Sequence, residues 1–130
     1  MLKITGLYTA LIALIYIFLC YKVVFYRRKN RVELADGGDP QVLRFMRAQA
    51  NAAEYMPIAL ILFAIAEANA APLWLLHGVG IVFVIARVIH PMGFVNKKGI
   101  SFGRFYGTLF TWLIILGLSI LNLLYFFNIL

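Results

Sequence analysis

The sequence has little of what a soluble enzyme displays. Charged residues are 13% of the 130, and 5 are acidic; a soluble domain carries about 25% charged residues and about 45–50% apolar ones. Here 64% are hydrophobic, which excludes an ordinary water-soluble domain. There is one cysteine, Cys20, so no intrachain disulfide can form, and its place inside an apolar run reads as a small buried hydrophobe. No Ser–His–Asp or Cys–His set is visible. His77 and His90 lie near opposite ends of one apolar run, so no metal site is expected. No glycine-rich phosphate loop occurs; ADGGDP, at 35–40, reads as a turn. The first apolar run is too long for a cleavable leader, and no small-residue cleavage site follows it. There is no internal repeat and no low-complexity linker.

What the chain has instead is four long apolar runs, expected as four membrane-spanning helices in one domain over residues 1–130. The first runs from about Ile4 to Tyr26, roughly 35 Å of helix at about 1.5 Å per residue, enough to cross a hydrocarbon core. The second starts after Asp39-Pro40 and continues to about Ala68. Asp39 suits the cap and Pro40 needs no amide at the first helical position, whereas Pro57 is expected to kink the helix. The third runs from about Pro72 to Pro91, and the fourth, free of charge, from Phe105 to Leu130. The fold class is therefore an all-α membrane protein, a bundle of four transmembrane helices.

The net charge of +7 sits between these runs rather than on a soluble face. It reads as topology signals and contacts to anionic lipid headgroups, not as a nucleic-acid surface. Arg27, Arg28, Lys29, Arg31, Arg44 and Arg47 flank the first loop, and Lys97, Lys98 and Arg104 the third. The second turn and the C-terminus carry no lysine or arginine. Loops one and three are therefore expected in the cytoplasm, with both termini outside.

One stretch places polar chemistry inside a span. Residues 47–57 read RAQANAAEYMP. Positions three, four or seven apart share a helix face, which lines up Arg44, Arg47, Asn51 and Glu54, with Gln49 and Tyr55 beside them. The third run offers Arg87, His90 and Phe94 at the same spacing. A charge in a membrane costs on the order of 2.5–3.5 kcal/mol and faces a protein interior or a wet cavity. Glu54 and Arg87 could pair as a strut between two helices, or line a pocket. The arginines outnumber the one glutamate, which suits a ligand with several carboxylates and an amine: arginine grips carboxylates bidentately, and Glu54 would hold the amine. A small proton-coupled drug transporter of similar size would need an acid in the first run, which has none.

RAQANAAEYMP closely resembles the signature of the MAPEG family, the membrane-associated proteins in eicosanoid and glutathione metabolism. In that family arginine, a polar residue, asparagine, glutamate and proline open the second helix; here these are Arg47, Gln49, Asn51, Glu54 and Pro57. The order is most similar to the leukotriene-synthesising branch. RRKNRV at Arg27–Val32, ARVIHPMGF at Ala86–Phe94 and the arginine of Arg104–Thr108 extend the likeness over all four runs. On helix three that branch carries tyrosines where this chain has His90 and Phe94. The chain is similar in length to the small bacterial members, which implies the inner membrane. The resemblance implies a homotrimer of four-helix subunits that binds glutathione as cosubstrate in a cleft between subunits, at the cytoplasmic side. The lipophilic substrate would come from the bilayer. It further implies that Arg47, Gln49, Asn51, Glu54, Tyr55, Arg87, His90 and Arg27 bind glutathione. Arg104 would face the sulfur and stabilise the thiolate, with Arg28 assisting from a neighbour. The expected activity is a glutathione transferase or peroxidase acting on a lipophilic electrophile or hydroperoxide. The family also contains a non-catalytic lipid-binding member, so a protein that binds lipid or glutathione without turnover is the alternative.

Overall fold

Inside a bilayer a backbone amide has no water to bond, so an apolar run satisfies its own hydrogen bonds by closing into a helix. In the computed structural model, which describes residues 1–95 and 101–129, α1 spans Lys3–Lys29, α2 Pro40–Ala68, α3 Leu73–Val95 and α4 Phe102–Phe126. All four are long and apolar enough to cross a membrane. Lys97, Lys98 and Leu130 lie outside the described residues.

The helix ends follow local chemistry. The Asp39 carboxylate accepts from the amides of Gln41 at 2.7 Å and Val42 at 3.2 Å, with Pro40 behind it, as the Asp-Pro pair predicts. ADGGDP does turn: Gly37 and Gly38 have φ of +58° and +75°, where a side chain would be strained. α2 runs unbroken through Pro57. Four ends differ from expectation: α1 runs on to Lys29, α4 stops at Phe126, and the other two meet at the α3–α4 junction. α3 does not stop at Pro91 but continues to Val95. Proline removes one amide, the one that would reach the Arg87 carbonyl, and leaves the bonds of the turn beyond it intact, where the α4 side adds a contact. Ser101 supplies it, its hydroxyl donating to the Gly93 carbonyl at 2.8 Å. The same Ser101 caps α4, which therefore begins before Arg104 and takes that cation into its first turn.

The four helices run up and down. Tyr26 at the end of α1 stacks on Phe45 at the start of α2, 4.3 Å between ring centroids. At the opposite end the Glu67 carboxylate, in the last turn of α2, accepts from the first amides of α1: Ile4 at 3.0 Å and Thr5 at 2.6 Å. Those amides have no partner inside α1, and the carboxylate also meets the positive end of the helix dipole. α2 and α3 each touch all three other helices, while α1 and α4 do not meet among the described residues. The core joins Tyr8 and Ile12 of α1, Ala52, Met56 and Phe63 of α2, Leu76 and Phe83 of α3, and Ile114 of α4. The outer faces stay apolar, with Leu14 68% and Trp74 75% exposed, as suits contact with acyl chains.

α3 and α4 make the closest contact, and glycine permits it. A Cβ on Gly107 would lie 2.7 Å from the His90 Cβ and 2.8 Å from the Ala86 carbonyl oxygen. Gly103, one turn earlier on α4, likewise faces the Ile89 backbone. Small residues four apart let two membrane helices approach at backbone distance. Gly107→Ala is therefore expected to push α4 off α3 and cost about 1–3 kcal/mol. Gly117→Ala, where a Cβ meets nothing within 4 Å, should cost nothing. Thermal unfolding of the two variants in one detergent separates them; equal midpoints would remove the close contact as a source of stability.

Candidate functional site

At the end of the bundle where α2 and α4 begin and α3 ends, these three helices line a cavity of about 420 Å³. Its polar walls are Arg47 and Asn51 from α2, His90 from α3, and Arg104 and Thr108 from α4. Phe105, Leu109 and Trp112 supply the apolar wall, and Phe94 lies beside Arg104. Phe105 and Trp112 are more than half exposed on the outside of α4, so the cavity adjoins the lipid-facing surface. No lining residue is acidic and two are arginines. In a medium of low dielectric such a cavity strongly favours an anion.

Arg87 stands behind this wall rather than in it. The residue is 1% exposed and its guanidinium spans three helices: Nη1 donates to Asn51 Oδ1 and Nη2 to the Gly107 carbonyl, each at 3.0 Å. The Gly107 carbonyl also accepts from the Thr111 hydroxyl at 2.8 Å. Arg87 Nε has no partner among the described residues. A guanidinium only donates, so the Asn51 oxygen must face it and the Asn51 amide hydrogens are left for the cavity. Arg87 thus orients a wall residue that touches the ligand space while it is itself shielded from that space.

His90 is 4% exposed and meets Phe94 edge to face at 5.3 Å between centroids. The Arg104 guanidinium carbon lies 4.4 Å from the Phe94 ring centroid, a cation–π contact. The Arg47 and Arg104 guanidiniums bring positive charge to the cavity walls.

The remaining sequence candidates are distributed elsewhere in the single chain. Glu54 is exposed on the outer side of α2, pairs with no cation among the described residues and does not line the cavity. Three residues of helix carry it about 60° around the axis from Asn51, whose side chain, together with the Gly107 carbonyl, accepts from Arg87. Tyr55 is half-buried, its ring 6.3 Å from that of Trp112 at the cavity edge. Gln49 turns to α1, where its amide donates to the Tyr16 hydroxyl at 2.8 Å. Arg27 and Arg28 line a second cavity, of about 540 Å³, with Arg31 and Glu33; Arg27 donates to the Glu33 carbonyl at 2.7 Å. His77 lies at the far end, 3.0 Å from the Tyr8 hydroxyl, and no group of three metal-binding side chains occurs among the described residues. Thr108, Leu109 and Trp112 were not foreseen. The signal was present: four and eight residues beyond Arg104 return to its face of the helix.

A family model described as the MAPEG family matches residues 5–124. The inner membrane protein YecN of Escherichia coli strain K12 is 34% identical over 122 residues, which cover 94% of this chain and 92% of that protein. The protein of the same name from Escherichia coli O6:H1 matches to the same extent.

Removing one partner of a buried charge costs more than removing both. Asn51→Ala should lower stability by about 2–3 kcal/mol, because it strands a guanidinium that cannot reach water. Arg87→Met added to it should recover much of that loss. Denaturation of the two single variants and the double variant measures the coupling; strictly additive effects would mean that Arg87 and Asn51 act independently.

Proposed function

Because the chain belongs to the MAPEG family and is an integral membrane protein, we propose that it is a glutathione-dependent membrane transferase or peroxidase acting on a lipophilic electrophile or hydroperoxide. The observation that carries the reading is the acid-free cavity between α2, α3 and α4, with Arg47 and Arg104 in its walls and the lipid-exposed aromatics of α4 beside it. Glutathione is a polar anion with two carboxylates, an amine and a thiol. Arg47 and the Asn51 amide hydrogens suit its carboxylates. Arg104 suits the sulfur, with His90 against the same space. Arg87 contributes by holding Asn51.

The thiolate is the reactive form of the sulfur. A guanidinium beside it favours the anion, and the thiol proton leaves to water. The thiolate then attacks an electrophilic carbon, forming a C–S bond as the leaving group or ring oxygen departs with its electron pair. With a hydroperoxide it attacks the terminal oxygen: an S–O bond forms, the O–O bond breaks, and the alkoxide takes a proton. A second glutathione would reduce the sulfenic acid, giving disulfide and water.

Glu54 supports a homotrimer. An exposed carboxylate within a span is costly among lipid tails, and no cation among the described residues meets it. A cleft between copies would bury it where it can hold the glutathione amine, with Tyr55 and Gln49 on the same helix. Arg27 and Arg28, apart from the first cavity in one chain, would reach the ligand from a neighbouring copy. Loops one and three would then face the cytoplasm, in an inner membrane.

Glutathione titration of the detergent-purified protein, followed by thiolate absorbance and by calorimetry, tests the proposal. A saturable thiolate signal is expected in the wild type. Arg104→Ala should lose that signal and about 100-fold or more of turnover while retaining most of the binding. Glu54→Gln should weaken binding about tenfold or more, as loss of a charge-assisted hydrogen bond does. Binding without thiolate in the wild type would favour a non-catalytic lipid- or glutathione-binding protein, and no binding would remove glutathione from the account.

A further inference from the structure

Arg104 rests on an aromatic ring held in place from two sides. The Phe94 centroid is 4.4 Å from the guanidinium carbon, and the ring leans edge to face on buried His90 at 5.3 Å. The backbones are locked together as well. A Cβ on Gly93 would come within 2.6 Å of the Arg104 amide nitrogen, and Ser101, which caps α4, donates to the Gly93 carbonyl at 2.8 Å. The end of α3 and the start of α4 therefore fix ring and cation relative to each other.

The chemistry of this contact differs from that of an ion pair. A carboxylate at the same place would neutralise the guanidinium and occupy its N–H donors. The face of a phenyl ring attracts the cation through its quadrupole, accepts no conventional hydrogen bond and leaves the positive charge whole. We propose that Phe94 is a positioning residue for the Arg104 cation, its ring face holding the guanidinium at the cavity wall for an anionic atom of the ligand. This rests on the glutathione reading for the identity of that atom, the sulfur, but not for the contact itself.

Full-length Phe94→Leu and Phe94→Tyr test it, since leucine keeps the apolar bulk without a ring face and tyrosine keeps the face. The first readout needs no glutathione: the rate at which phenylglyoxal modifies Arg104, followed by peptide mass spectrometry. The rate should rise about threefold or more in Phe94→Leu and stay near wild type in Phe94→Tyr, in line with the strength of such contacts. The second is the thiolate absorbance of bound glutathione at neutral pH, with the dissociation constant of S-methylglutathione, which has no thiol, as reference. Phe94→Leu should lower the thiolate about threefold or more with the reference constant nearly unchanged, and Phe94→Tyr should restore it. Equal modification rates in wild type and Phe94→Leu overturn the proposal whatever glutathione does. A faster Arg104 with an unchanged thiolate overturns it too, because the positioning would then serve nothing. A faster Arg104 in a protein whose wild type shows no thiolate supports the positioning and sinks the glutathione reading.

Discussion

Three helices meet at one buried guanidinium. Arg87 lies within a span, 1% exposed, and the acceptors it reaches are the Asn51 side chain on α2 and the Gly107 carbonyl on α4. Both are neutral, so the cation is solvated by dipoles rather than cancelled by a charge. The second acceptor is a main-chain carbonyl, which a side chain on α3 reaches because α4 presses close against that helix. Gly107 allows this: the residue that offers the carbonyl is also the one whose missing side chain lets α4 approach Ala86 and His90. Satisfying the charge and closing the helix pair are thus one constraint, and the register of α4 on α3 follows from it.

That register builds the cavity. One and two turns beyond Arg87, α3 presents His90 and Phe94, and the close approach sets the first turn of α4 beside them with Arg104 against the Phe94 ring. On the other side Arg87 spends the Asn51 oxygen and leaves its amide hydrogens next to Arg47. In the proposed reaction these donors would hold a water-soluble thiol while Phe105 and Trp112, exposed on α4, offer a way in from the bilayer. Positive charge is supplied by guanidiniums, so the cavity would act on the sulfur through its field.

Much of this is local and was legible in the residues. Apolar length marks four spans, and Asp39-Pro40 marks the start of α2 to the residue. Helical periodicity places Arg47 and Asn51 on one face of α2 and His90 and Phe94 together on α3. RAQANAAEYMP carries the family, because helix-two chemistry is written there in consecutive residues. Each of these depends on hydrogen bonds and geometry spanning a few positions of one chain segment.

What periodicity cannot express is which neighbour a face meets, since that depends on the rotation and depth of another helix. Arg87 and Glu54 looked like natural partners, yet the packing turns one inward to Asn51 and leaves the other outside. Gln49, two residues from Arg47, bonds to Tyr16 on α1. Arg27 and Arg28 belong to a separate cavity in the chain, although they share the cationic end of the bundle with Arg47 and Arg104. α3 continues past Pro91, its last turn bonded by Ser101 at the start of α4, and Glu67 caps a helix more than sixty residues away in the chain. Sequence therefore dictates where the spans begin and which side chains share a face. The partners of those side chains are set by helix-to-helix approach distances, which arise when separate segments pack together.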